Sequence, residues 1–241
     1  MSILSFNVHV VPIFPMGLVN AFLIETQSGL ILVDAGLPNT EHKVQRALSK
    51  LGKRFADICL IIITHAHVDH AGNASQLRRL TGAPICAHAD DLPYYRRERA
   101  MSFCSTGWFG RCFKKTGAIQ APYIAFEPDI LLVGEQVFDL SSFGVQGVVF
   151  ATKGHTEGSL SVVLGDAAIV GDLVSSGVLL GGICCSHKAK RPPFEDNPSL
   201  VALQLDRLLK MGVKTFYMGH GGPLPHDEVA RHVESLERIA G

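Results

Sequence analysis

One short segment of the sequence, residues 60–73, most constrains what the chain can fold into. It opens with a run of apolar, mostly β-branched residues at 60–63, which predicts a buried strand. It closes on Gly72-Asn73, where a turn leads into a helical pattern over 74–80. Three histidines and one aspartate lie between, within six positions: His65, His67, Asp69 and His70. The segment therefore predicts a strand that ends in a cluster of polar side chains.

The spacing of this cluster suits metal binding. His65 and His67 are two residues apart, so in extended backbone their imidazoles point to the same side. Asp69 and His70 are adjacent, and they leave the chain in different directions as it enters the helix. One segment can therefore offer ligands to two neighbouring points, and zinc, iron and manganese take imidazole and carboxylate ligands. The alternative is a histidine-rich surface loop, which the strand-end position disfavours.

Ligand-type residues also follow predicted strands in the second half of the chain. His155 follows Gly154, Asp172 follows Gly171, and His220 stands in a Gly-His-Gly-Gly turn. A small neighbour lets the backbone approach whatever the side chain binds. Each signal is weak alone. Together with the first cluster they give seven ligands, about what two metal ions with a bridging water need.

Composition sets the class of protein. The 241 residues can bury a substantial core, and we predict a single domain over 1–241. Lys plus Arg equals Asp plus Glu at 22 each, which argues against a nucleic-acid or membrane surface. Pro12 and Pro15 break the N-terminal apolar run, so we expect neither a signal peptide nor a membrane span. With no Cys-x-x-Cys pair, we predict reduced thiols and a cytoplasmic location.

Strand and helix patterns cover most of the chain. Asp34 ends a predicted strand, where it is either a turn residue or a carboxylate that orients a metal-bound histidine. His88 also ends a strand, and we expect it to be structural. Asp227 is expected to cap the last helix, and His226 and His232 to lie at the surface. The predicted strands are 6–14, 20–26, 30–33, 60–63, 84–87, 137–140, 145–152, 160–164, 167–170 and 213–218, and the helices are 40–51, 74–80, 200–211 and 228–239.

Two irregular segments are candidates for substrate contacts. Residues 91–122 are basic and aromatic and predict an insertion over the surface, acting either as a substrate lid or as an ordinary excursion or oligomer contact. Six cations over 96–115 would suit a small anionic substrate, although a solvated face explains them equally well. In the loop 175–193, His187 or Arg191 could anchor a substrate carboxylate, unless the loop is only a mobile polar one. The sequence leaves a monomer or a homo-oligomer open.

The order of the seven ligands resembles that of the metallo-β-lactamase superfamily. The resemblance implies an α+β fold, a four-layer αβ/βα sandwich with a dinuclear site at the edge of its two sheets. By the same resemblance Asp34 would support the site without binding metal. The implied first metal ligands are His65, His67 and His155, the second are Asp69, His70 and His220, and Asp172 bridges.

The resemblance also implies a chemistry. We predict a hydrolase with two divalent ions, zinc before iron or manganese, in which a hydroxide bridging the metals attacks an ester, thioester or lactone carbonyl. Asp69 would act as the proton shuttle.

Within the superfamily, Asp172 separates some branches. True β-lactamases usually carry serine or cysteine at this position and an export signal, and both differences count against a dedicated β-lactamase. Promiscuous β-lactam hydrolysis is kept as an alternative. The aspartate matches glyoxalase II-like thioesterases and acyl-homoserine-lactone lactonases. Glyoxalase II normally adds a C-terminal helical domain, whereas only about twenty residues follow His220 here. Persulfide dioxygenases have the same motif but use a single iron ion, and such an enzyme is a second alternative. A metal-binding regulatory module is a third.

Overall fold

Two six-stranded mixed sheets form the framework of the computed structural model, which describes residues 6–240. The strands of the first sheet are, in spatial order, β1 (Asn7–Phe14), β2 (Val19–Thr26), β3 (Gly29–Val33), β4 (Ile58–Ile62), β5 (Ile85–His88) and β6 (Ile130–Leu132). The first three strands pair antiparallel, and β3 to β6 pair parallel.

The second sheet has its own order and is antiparallel except for one pair. Its strands are β7 (Phe138–Asp139), β8 (Val148–Ala151), β9 (Leu160–Leu164), β10 (Ala167–Ile169), β13 (Thr215–Tyr217) and β14 (Leu224–Pro225). The parallel pair is β10 with β13. A small separate hairpin joins β11 (Ser175–Ser176) to β12 (Ala189–Lys190).

Seven α-helices accompany the sheets over residues 6–240: α1 (Glu41–Lys50), α2 (Val68–Ala71), α3 (Ala74–Thr81), α4 (Leu92–Tyr95), α5 (Gly107–Lys114), α6 (Pro198–Lys210) and α7 (His226–Ala240). The start of α6 is well specified, because the Asn197 side chain accepts a hydrogen bond from the Leu200 amide and Pro198 follows the cap. No helix in this part of the chain is long and apolar enough to cross a membrane.

Most of the core lies in three apolar layers, which confirms the predicted four-layer sandwich. One layer packs α1 and α3 against the first sheet and another packs α6 and α7 against the second. The third fills the space between the two sheets. Successive residues of β4 alternate between layers, with Ile61 towards the helices and Leu60 and Ile62 towards the other sheet. A strand covered on both faces explains the unbroken apolar run at 60–63.

The predicted elements differ from the observed ones mainly at their ends. The last helix begins at His226, so Asp227 lies in its first turn and the predicted cap is wrong. The prediction that His232 lies at the surface is also wrong, since its exposed fraction is only 7%. His88 is buried, and its Nε2 lies 3.0 Å from the Gly134 carbonyl oxygen, as expected of a structural histidine. Strand β6 was not predicted, because three residues are too few to show a period.

The basic and aromatic segment 91–122 is more than a surface excursion. It contains α4 and α5, and Tyr95 is fully buried in the layer beside the first sheet. Phe103 is also buried, and its ring packs against Phe194 and against His67. The expectation that this segment only runs over the surface is therefore wrong for these side chains, which tie it to the core and to the histidine cluster.

Candidate metal centre

All seven predicted ligands come together at one end of the two sheets. The first sheet supplies four of them from the segment after β4, two in the loop and two on α2. The second sheet supplies the other three, one from the turn between β8 and β9 and one after each of β10 and β13. Because β10 and β13 are parallel neighbours, their carboxyl ends meet at the same edge of the sheet. The residues form two groups, His65, His67, His155 and Asp172, and Asp69, His70 and His220.

Three imidazoles converge in the first group. The His155 Nε2 atom lies 3.1 Å from His65 Nε2 and 3.1 Å from His67 Nδ1. Asp172 completes the group, with its Oδ2 3.8 Å from His155 Nε2. The side chains are buried, and the Phe103 ring covers His67 at a centroid distance of 5.0 Å.

The second group shares Asp172 with the first. His220 Nε2 lies 3.3 Å from Asp69 Oδ2, and His70 Nε2 lies 3.9 Å from the same atom. The Asp172 carboxylate reaches both histidines, with Oδ1 3.4 Å from His70 Nε2 and Oδ2 3.0 Å from His220 Nε2. Asp172 therefore stands between the two groups.

The donor set fits divalent cations. Among the described residues, His70 Nε2 and Asp172 Oδ1 are buried without a hydrogen-bond partner, although they lie inside the cluster. Burial lowers the pKa of His65 and His67, and neighbouring imidazoles lower it further. Burial also lowers the pKa of His155 to about 4. These imidazoles are therefore neutral, which is the form that binds a metal ion.

The second group is electrostatically different. Burial alone would lower the pKa of His70 and His220, but the carboxylates around them raise it, to about 10 for His220. In return, His70 and His220 lower the pKa of Asp69 against the effect of burial. Against the effect of burial, His220 and His70 also lower the pKa of Asp172. Both carboxylates of the cluster are thus ionised at neutral pH, and a bound cation would take the place of the histidine protons.

Asp34 supports both groups without belonging to either. Its Oδ2 lies 2.7 Å from His70 Nδ1, and its Oδ1 accepts a hydrogen bond from the Thr64 amide at 2.8 Å. The Thr64 hydroxyl, 2.9 Å from both Asp34 oxygens, is also 3.0 Å from His65 Nδ1. One buried carboxylate therefore orients a histidine in each group, directly or through Thr64.

Sequence reasoning missed two residues that hold the site, Thr64 and Asp91. Asp91 is fully buried and accepts hydrogen bonds from the Ala66 amide at 2.9 Å, the Gly158 amide at 3.1 Å and the Thr156 hydroxyl at 3.1 Å. It links the loop of His65 and His67 to the turn of His155. A signal was available, because Asp91 follows β5 closely, just as Asp34 follows β3.

The backbone around His220 is held from the first sheet. The Leu18 carbonyl accepts a hydrogen bond from His220 Nδ1, and the Asn20 side-chain amide donates to the carbonyls of Met218 and Gly221. Residue 219 must be glycine, since a Cβ there would overlap the His70 ring and the Asp172 carboxylate. These contacts place His220 opposite Asp69.

The two residues predicted to contact substrate lie elsewhere. Arg191 makes an ion pair with the buried Glu195, at 2.6 Å between Nη2 and Oε2. His187 is exposed and lies near Glu228 on α7. Neither belongs to the two ligand groups, and neither lines the two cavities that border α2. The structure does not bring His187 or Arg191 to the cluster.

Comparison with known proteins agrees with this geometry. The family model described as the metallo-beta-lactamase superfamily matches residues 15–220. The chain belongs to this superfamily. The seven histidines and aspartates of the two groups form its metal-dependent hydrolase site, and they are arranged as for a dinuclear centre.

Individual relatives within the superfamily are distant. The chain is 24% identical over 224 residues to the probable metallo-hydrolase YflN of Bacillus subtilis, covering 85% of this chain and 81% of that protein. It is 26% identical over 155 residues to the probable metallo-hydrolase MJ0888 of Methanocaldococcus jannaschii, covering 64% of this chain and 66% of that protein. The solved structure of the archaeal superfamily protein ST1585 from Sulfolobus tokodaii superposes with a TM-score of 0.65 at 20% identity, covering 95% of this chain and 85% of that one. At this identity the structural likeness concerns the fold alone.

Proposed function

We propose that this protein is a dinuclear metal hydrolase that cleaves an ester, thioester or lactone carbonyl of a small molecule. The observation that carries the proposal is the position of Asp172. Its carboxylate lies within 3.4 Å of His70 Nε2 and within 3.0 Å of His220 Nε2, and it also belongs to the group of His155. A carboxylate shared by two complete ligand groups supports two ions side by side rather than one.

The residues define what the bound ions would supply. His65, His67 and His155 would hold one divalent cation, Asp69, His70 and His220 the other, and Asp172 both, and zinc is the cation we propose. Such a pair lowers the pKa of water and polarises a carbonyl oxygen.

Asp69 is suited to move the proton. Its side chain is 22% exposed, whereas those of His70, His220 and Asp172 are at most 3% exposed, so a substrate reaches the cluster beside Asp69. His70 and His220 keep its carboxylate ionised against the effect of burial. We propose that Asp69 accepts a proton as water adds to the acyl carbon, and delivers it to the leaving oxygen or sulfur as the carbon–oxygen or carbon–sulfur bond breaks.

Replacing Asp69 tests the proposal. We expect Asp69→Ala to lower kcat by about 10²- to 10⁴-fold, since the shuttle is removed, and to bind the second zinc ion more weakly. Activity against an acyl thioester, a phenyl ester and a lactone would be measured with increasing zinc added to metal-depleted protein. Asp227→Ala is the matched control, because this carboxylate is 93% exposed. Full activity in Asp69→Ala would contradict the mechanism.

A further inference from the structure

An apolar cavity opens directly beside Asp69. It has a volume of about 300 Å³, at the lower end of the range for small-molecule sites. Asp69 is the one charged side chain among the ten residues that line it, and the other nine are apolar. A substrate whose carbonyl lies at the cluster would therefore extend a neighbouring group into an apolar space.

Separate parts of the chain build this cavity. Leu37 comes from the loop after β3 and Val68 from α2, which also carries the ligands. Phe113 and Ile119 come from the segment 91–122, and Leu180 comes from the loop after Asp172. The two irregular segments thus line this cavity with apolar side chains rather than with their cations.

Large hydrophobic residues are exposed in and next to the segments that line the cavity. Phe14, which lines it, is 45% exposed, and the exposed fractions are 64% for Met16 and 44% for Leu179, the neighbour of Leu180 in the chain. The two loops that carry them are in contact, since a Cβ at Gly182 would overlap the backbone at Met16 and Gly17. A cavity with an apolar lining, and exposed apolar residues in the same loops, favours an apolar ligand.

We propose that the substrate carries an apolar acyl chain, and that this cavity receives it while the carbonyl lies at the metal ligands. The inference rests on the proposed function, and it adds the substrate class. A cavity of about 150 Å³ lined by aliphatic and aromatic residues holds benzene, so this one accommodates a chain of about six to ten carbons.

The cations of the segment 91–122 do not enter this cavity. Arg97 and Arg99 line a second cavity of about 240 Å³, where their guanidinium groups lie over the rings of Tyr123 and Tyr94. That cavity shares Val68 and Ile119 with the apolar one, and it is the competing place for an acyl chain. The two cavities can be distinguished by variants that fill one or the other with a large side chain.

The test is a chain-length series with two matched variants. Nitrophenyl esters from acetyl to decanoyl would be assayed with zinc-loaded protein, and kcat/KM should rise about fourfold per added methylene until the cavity is full. Ala118→Phe adds a ring from an exposed position that lines the apolar cavity, and it should lower the octanoyl-to-acetyl ratio of kcat/KM at least tenfold. Ala100→Phe adds the same ring to the arginine-lined cavity and should leave the ratio unchanged.

Several outcomes would overturn the inference. A flat chain-length series, or a ratio that falls in Ala100→Phe but not in Ala118→Phe, would place the chain elsewhere while leaving the hydrolase proposal intact. If protein that holds two zinc ions cleaves none of these esters, and neither an acyl thioester nor a lactone, the hydrolase proposal fails. Calorimetry with straight-chain alcohols from ethanol to octanol would then test whether the cavity binds an apolar chain. An affinity that rises with chain length and is weakened by Ala118→Phe supports an apolar ligand. An affinity that does not depend on chain length refutes it.

Discussion

Asp34 shows how much one buried side chain can determine in this site. Its backbone has φ = +63°, a conformation that aspartate tolerates better than most residues. From that position its carboxylate reaches His70 directly and His65 through Thr64. A hydrogen bond to the second nitrogen of an imidazole fixes which nitrogen faces the metal.

The role of Asp34 can be tested by replacement with asparagine. Because the amide keeps the size but loses the charge, we expect Asp34→Asn to weaken zinc binding about 10- to 100-fold. Competition with a chromophoric chelator measures this affinity. Asp227→Asn changes a carboxylate that is 93% exposed and contacts only the exposed His226 among the ion pairs of the described residues, and this variant should bind zinc as the wild type does. Unchanged affinity in Asp34→Asn would show that the hydrogen bond to His70 does not support the metal.

The metal ligands could be predicted from the sequence, and the residues that support them only through hydrogen bonds mostly could not. The segment from His65 to His70 carries its own pattern. Asp172 and His220 were predicted because each stands beside a glycine after a predicted strand, and the resemblance to a known order of ligands then supported them. Thr64 and Asp91 act through hydrogen bonds whose partners are distant in sequence, such as Gly158 for Asp91. Thr64 carries no such information until the chain is folded, and the one signal for Asp91 in the sequence is its position soon after a strand.

At the scale of elements, the site depends on loops that different strands deliver to one edge. The loop after β4 and the turn between β8 and β9 belong to different sheets, and Asp91 joins them by accepting hydrogen bonds from both. Burial raises the pKa of Asp91 to about 6, although these donors act in the opposite direction. The link between the two loops is therefore sensitive to pH.

The sign of this pH effect follows from linkage. The pKa of Asp91 is about 6 when folded and 3.8 for the free side chain, so between these values the folded protein holds a proton that the unfolded chain has lost. Below pH 4 this group makes its full contribution to the free energy of unfolding. That contribution, about 3 kcal/mol in all, is lost as pH rises through 6. Urea unfolding of metal-free wild type and Asp91→Asn from pH 4 to 7 measures it. The difference in unfolding free energy between them should change with pH, and a constant difference would contradict the assignment.

In the segment 91–122, the sequence pattern does not predict which side chains are buried. Its basic and aromatic composition predicts an exposed insertion, yet Tyr95 and Phe103 are buried and Phe113 and Ile119 form a cavity wall. Helix α5 has only eight residues, too few for a clear helical period among so many aromatic side chains. Which side of such a short helix faces the protein depends on contacts with Pro193 and Phe194 far along the chain.

At the scale of the whole molecule, each ligand group takes residues from both sheets. His65 and His67 of the first group come from the first sheet, and His155 comes from the second. In the other group, His220 of the second sheet faces two ligands carried by α2. Two bound cations would therefore join the halves of the sandwich at this edge, in addition to the apolar layer between them.

Metal removal should consequently destabilise the whole fold. At a free zinc concentration about 1,000 times the Kd, each ion would stabilise the folded state by about 4 kcal/mol. For a chain of this size that corresponds to a fall in Tm of about 10 °C per ion on chelation. Thermal unfolding followed by circular dichroism, with and without chelator, gives the shift, and adding zinc back should reverse it. Equal Tm values in both states would mean that the ions do not join the sheets.

The most direct test of the dinuclear hydrolase is the metal content of the purified protein, measured by elemental analysis alongside activity. The activity panel would hold an acyl-glutathione thioester, a homoserine lactone, a chromogenic cephalosporin and glutathione persulfide. We predict close to two zinc ions per chain, with cleavage of the thioester or the lactone. One iron per chain, with oxygen consumed in the presence of the persulfide, would contradict the hydrolase and establish a mononuclear dioxygenase.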